Sequence, residues 1–200
     1  SSGVTWSIQL ELERILGVMM KTLQLTPLAK ARVWSGEKMT GGFEGEGVIT
    51  GSAGQSSAGW PSGNVVVGLE ALLPRGARAE YGLLGLEFLP DDLGRLRMEV
   101  PYSGMVGIAW PDALAGKLDE VRLGLPKEYA SAVFASLSSA VEGRVPSGVL
   151  RIVDAAHGLI GSSPNFFGKL TRAAVELVLL SGVEVPDDRL MSLLRGIIID

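Results

Sequence analysis

Cysteine is missing from this 200-residue chain, which removes disulfides, thiolate zinc sites and cysteine nucleophiles together. That composition suits a reducing compartment, and we expect the cytoplasm. Histidine occurs once, at His157, so a multi-histidine metal centre is excluded as well. Long apolar runs are also lacking. The longest uncharged stretches, 100–111, 129–141 and 155–168, are broken by Gly, Pro, Ser or Asn and fall short of the ~18–20 apolar residues that a membrane span needs. No membrane helix and no signal peptide are expected. Blocks of positive charge are absent too. The 18 Lys and Arg are scattered singly and the net charge is -4, which argues against a strong nucleic-acid binder, because phosphate neutralisation supplies most of that affinity. Finally, no G-x-x-x-x-G-K-[ST] segment occurs, so the chain carries no phosphate loop of the NTPase kind.

What the chain does have is a large apolar fraction, 46%, and 27 glycines that punctuate it. A chain this long buries roughly 70% of the surface its unfolded form exposes, enough for a conventional core. From Trp6 to Leu23 the residues Ile8, Leu12, Ile15, Leu16, Met19 and Leu23 recur at helical spacing, which predicts an amphipathic helix stopped by Pro27. A short strand is expected at 31–34 and another at 47–50, followed by a mobile Gly and Ser loop. The Val65, Val66, Val67 run favours a strand over 65–73, although a helix from Asn64 to Leu73 fits the spacing too. Further strands are expected at 81–88 and 96–100, with a third around Met105 to Trp110.

The last third is punctuated more clearly. A strand over 118–125 leads to Pro126 and Glu128, which suit the first turn of a helix carrying Tyr129, Ala132, Val133, Ser136, Leu137 and Ala140 on one face, closed at Gly143. A strand over 149–154 follows. Ser163 and Pro164 then open a second helix through Phe167, Leu170, Ala174 and Leu177, ended by Gly182. Pro186, Asp187 and Asp188 begin a short terminal helix, with a strand expected at 197–199. The organisation read from this is a helix and connector at 1–35, an α/β domain at 36–182 with a β-rich insertion at 75–116, and a helical tail at 183–200. Its class is α+β: a β-β-β-α-β-α sheet with helices packed on one face.

Four segments in order, TGSAGQ (50–55), NVVVGLEALLP (64–74), LPKEYASAV (125–133) and GVLRIVDAAHGLIGS (148–162), resemble the fourth domain of translation elongation factor G and of the related ribosome-protection proteins. Thr50, Gly51, Ser52, Gly54 and Gln55 resemble the family's Gly-rich turn. Pro126, Glu128, Tyr129, Ala132 and Val133 match its P-x-E-Y-x-x-A-V helix start, and Gly148, Gly161 and Ser162 sit at spacings similar to its later glycines. The resemblance covers roughly two thirds of the chain. It implies a non-enzymatic module without a cofactor, acting through protein or ribosome contacts, whose tip would be 51–59 together with 157–163. The segment 56–63 and the long stretch 75–116 depart from the family pattern.

The binding candidates are therefore Gly51, Ser52, Gly54, Gln55, Ser56, Ser57, Trp60, His157, Gly161, Ser162 and Ser163. Trp60, in a loop of Gly, Ser and Pro, is the aromatic least suited to a core and so the best probe of a contact surface, unless it folds back onto the sheet. Two other readings stand beside this one. The loop 51–59 resembles the phosphate cradle of GHMP-type small-molecule kinases, where glycine amides and a helix N-terminus meet phosphate, but WPSG interrupts the helix that motif needs. Ala-rich helices and an apolar composition also suit a self-assembling structural protein, a homo-oligomer. Asp154, His157 and Ser162 or Ser163 lie close enough in sequence to suggest a catalytic triad, yet no nucleophile elbow accompanies them. Asp91 with Asp92 and Asp187 with Asp188 each follow a proline and read as turn or helix-start residues.

Overall fold

A computed structural model describes residues 19–56, 59–105 and 107–200. In chain order its elements are β1 (Met19–Gln24), β2 (Lys30–Ser35), β3 (Gly47–Gly54), β4 (Val65–Arg75), β5 (Arg78–Pro90), β6 (Arg95–Tyr102), β7 (Val121–Leu123), α1 (Lys127–Val141), β8 (Gly148–Gly158), α2 (Pro164–Leu179) and α3 (Asp187–Ile198). The fold is mixed α+β: the strands form one sheet ordered β1-β2-β4-β5-β8-β6-β3, and β7 adds to β8. All pairings are antiparallel except that of β6 with β8. One edge of β8 is shared: β6 takes Gly148–Arg151 and β7 takes Ala156–Gly158.

The alternation of β4 shows how the sequence divides the molecule into layers. Val67, Leu69, Ala71 and Leu73 belong to a core that includes Phe166, Phe167, Leu170, Ala174 and Val178 of α2 and Ala130, Val133 and Leu137 of α1. Period 2 in the strand and period 3.6 in the helices thus aim the same apolar residues at one interior. The next residues along β4, Glu70 and Leu72, point to the opposite face. There Leu72 packs with Trp34, Tyr81, Leu83, Ala115, Val121 and Ala156 under loop residues Met39, Trp110, Ala113 and Leu114. Helices cover one face and loops the other. Gly68 is glycine for a steric reason, since the Trp34 ring lies where its Cβ would be.

The helix punctuation is as expected from sequence. Ser163 accepts a bond from the Phe166 amide with Pro164 at the first position of α2, and Gly143 and Gly182 take positive φ after α1 and α2. Four expectations change. Met19 to Leu23 lies in a strand, because β2 offers it a ladder; the rest of the expected helix, from Trp6, falls outside the described residues. The described residues of the 105–110 stretch form no strand; they meet the sheet at the bridge of Ala109 with Arg122 and through the carbonyls of Met105 and Gly107. The terminal helix continues through Ile198, so no strand forms at 197–199. The loop expected after residue 50 begins only beyond Gly54, because β3 stays laddered to β6 up to there; 75–116 supply β5 and β6 over the strands expected at 81–88 and 96–100. Among the described residues no helix is long and apolar enough to cross a membrane.

Candidate functional site

Loops on the open face are held by polar side chains buried in the sheet. Glu70, fully buried in β4, accepts bonds from the Tyr81 hydroxyl at 2.8 Å and from the Leu114 amide at 2.7 Å, with Arg32 Nε 3.4 Å from its other oxygen. Burial raises its pKa above the usual carboxylate range, against the lowering effects of the Leu114 amide, Arg32 and Tyr81. Tyr81 is pushed up as well, by burial and then by the neighbouring carboxylate. Asp154 in β8 holds the other loop: its carboxylate accepts from the amides of Met39 (2.6 Å), Thr40 (3.3 Å) and Gly42 (3.0 Å) and from the Thr40 hydroxyl.

At the C-terminal end of β8 a separate set of polar bonds holds the turn into α2. His157 is fully buried, with Nδ1 3.0 Å from the Gly124 carbonyl and Nε2 3.3 Å from that of Met105. Carbonyl oxygens only accept, so in a neutral ring the shorter contact assigns the proton to Nδ1. Asp119 accepts from the amides of Ile160 (3.1 Å) and Gly161 (2.7 Å), and Leu159 donates to the Glu120 carbonyl at 3.0 Å. Ser162 Oγ accepts from the Gly158 amide at 2.9 Å and donates to the Tyr81 carbonyl at 2.7 Å. The Tyr129 hydroxyl donates to the Ser162 carbonyl at 3.2 Å, while its ring stacks on Phe167 at 5.2 Å and meets His157 edge-on at 6.1 Å.

The turn is therefore rigidly tied, yet its apolar side chains face outward. Leu159 is 46% and Ile160 72% exposed, and Met105, Ile108 and Leu118, on the segments tied to this end of β8 and β7, are 51%, 76% and 67% exposed. Exposed apolar side chains carried on segments bonded to one another mark a contact site more often than scattered exposed leucines do. Its charged neighbours Lys117, Asp119, Glu120 and Arg122 sum to zero. The suggested triad is not assembled here. Asp154 spends its oxygens on the 39–42 loop, His157 faces carbonyls, Ser162 is bonded on both sides and Ser163 caps α2, so no nucleophile meets a base.

The remaining candidates lie elsewhere. Gly51, Ser52 and Gly54 are in β3, laddered to Met98, Arg97 and Arg95 of β6. A Cβ at Gly51 would sit 2.5 Å from the Phe134 ring of α1, so this glycine admits a helix rather than a phosphate. Gln55 donates to the Gly94 carbonyl at 3.1 Å; Ser56 donates its amide to Val145 and accepts the Val145 amide on Oγ, each at 3.1 Å. Ser57 lies outside the described residues. Trp60 folds back, donating Nε1 to the Arg144 carbonyl at 2.6 Å with its ring 5.2 Å from Phe88. These residues lie level with the first residues of β8, whereas His157 is its last but one and Gly161, Ser162 and Ser163 follow its end, roughly 20 Å or more further along the strand. The two halves of the expected tip are not brought together.

Two surface hollows add little chemistry. One of about 200 Å³, between β1, β2 and the turn after α2, is lined by Val33, Trp34, Val67, Leu177 and Leu190. A wider one of about 930 Å³ runs beside the 38–46 loop, where Arg151 is already paired to Glu87 at 2.5 Å. No protein-family model, curated protein or solved structure matches this chain. Sequence reasoning missed the buried Glu70, the half-buried Asp119 and the exposed Leu159 and Ile160. A lone charge inside the apolar stretch 65–74 was the one available signal for Glu70.

Proposed function

We propose that this chain is a non-enzymatic binding module that acts in the cytoplasm by contacting another protein through the 157–163 turn, in the manner implied by its resemblance to the fourth domain of elongation factor G. The observation that carries this reading is the pair Leu159 and Ile160: apolar, exposed, and mounted on a turn whose amides are fixed by Asp119. Rigid apolar side chains bind with little further loss of entropy. The order from β4 to α2 is β-β-β-β-α-β-α with helices on one face, one short strand, β7, more than the family's β-β-β-α-β-α, and that partial likeness supports the family reading. A protein partner suits this surface better than ribosomal RNA, because its charges balance and phosphate contact calls for a basic one.

Photo-crosslinking from position 160 in native lysate, followed by identification of the attached chain, tests the reading. A protein adduct abolished by the charged double substitution Leu159→Asp with Ile160→Asp is the expected result. An adduct to ribosomal RNA, with co-sedimentation that salt disrupts, would transfer the function to the RNA contact; no adduct at all would refute the module.

A further inference from the structure

We infer that a second copy of this chain pairs with β3, antiparallel and about a two-fold axis, to make one continuous sheet. β3 is a terminal strand of the sheet, laddered to β6 on one side and to no described residue on the other. Its eight residues, Gly47–Gly54, contain no charge and no proline. Solitary edges normally carry such residues as guards against pairing. The opposite edge does: β1 carries Lys21, bonded to Asp187 at 2.8 Å.

The helix above this edge has the same character. From Tyr129 to Val141, α1 has no charged residue, and half-buried Phe134 sits over Gly51 with exposed Ser131 and Ala135 and half-buried Ser138 beside it. Residues this small allow close approach of a second helix. Depletion of charge is what distinguishes the centre of an interface from ordinary surface.

Both layers decide the occupant. An extended peptide would satisfy the strand and leave the outer side of Phe134 and its neighbours in water. A second copy covers both, since the two-fold axis that pairs β3 with itself also brings α1 alongside α1. In a register centred on Gly51, Thr50 lies opposite Ser52 of the second copy and Ile49 opposite its Ala53, so inward side chains stay inward. No like charges oppose one another in that pairing.

Sedimentation equilibrium of the full chain reads the outcome. A dimer is expected, with the double substitutions T50K/S52K and T50E/S52E each raising the dissociation constant at least about tenfold. An equimolar mixture of the two should re-form the dimer, because Lys then faces Glu. Thr50 and Ser52 are exposed, so the far-UV spectrum should not change. If either variant misfolds, S131E/A135E on α1 replaces it with the same expected weakening. A wild-type chain that stays monomeric at every soluble concentration, a Lys variant that dimerises like wild type, or a mixture that remains monomeric would each overturn the inference.

Discussion

The two faces of the sheet are held by different physics. On the helix face, Phe166, Phe167, Leu170, Ala173, Ala174 and Val178 are fully buried against β4 and β5, and stability is spread over many apolar contacts. On the loop face the apolar cluster is smaller, and the loops are fixed at a few points by Glu70, Asp154, His157 and Asp119. A spread of apolar contacts resists by sum. A clamp resists by a handful of bonds whose loss leaves polar groups without partners. The difference explains why a contact surface is carried on the loop face end: a few directed bonds can set a turn in place without burying its side chains.

That comparison is sharpened by substitutions on each side. Phe167→Ala, on the helix face, is expected to cost about 3–5 kcal/mol in denaturant unfolding, the largest effect here. Asp154→Ala should cost roughly 2–3 kcal/mol, since the amides of Met39, Thr40 and Gly42 lose their acceptor. Hydrogen exchange separates the two: the Asp154 variant should speed exchange at 39–42 well beyond its global effect, and uniform acceleration across the sheet would erase the distinction between faces.

Glu70→Gln should act through pH. The folded-state pKa of Glu70 is raised from 4.5, so its contribution is fully present below the unfolded value and is lost as pH rises through the folded one. Wild-type stability relative to the Gln variant should therefore fall as pH climbs from about 4 toward neutrality. Parallel stability curves for the two proteins would show that the buried carboxylate is not the group responsible. The smallest expected change in stability, within about 0.5 kcal/mol, is for Leu159→Asp with Ile160→Asp, which should abolish partner binding all the same. A melting-temperature drop like that of Asp154→Ala would place those side chains in the core instead of on a contact surface.

Local chemistry made the helices readable. Pro126 with Glu128, and Ser163 with Pro164, announce their first turns because capping is decided within four residues, and the strands of the β4 and β5 hairpin show in β-branched and apolar runs. Less legible was anything decided by a distant partner. Met19 and Leu23 fit helical spacing, but the ladder to β2 overrides it. Glycine content marks 51–59 as a loop, whereas β3 runs on through Gly54 and Gly51 is there to admit Phe134 from a helix 83 residues on. The candidate site suffered most. Glu70 and Leu114 are 44 residues apart, and Asp154 and Met39 are 115 apart, so no window of sequence contains either clamp.

β5 and β6 are joined by only four residues, Asp91–Gly94, yet in the finished sheet β8 lies between them. During synthesis both are complete some fifty residues before β8 exists. Two neighbouring strands on a tight turn are natural hairpin partners, and each offers the other the edge that β8 will take. The nascent chain must either leave that slot vacant or break a premature hairpin to admit its late central strand, so maturation of this sheet waits on β8.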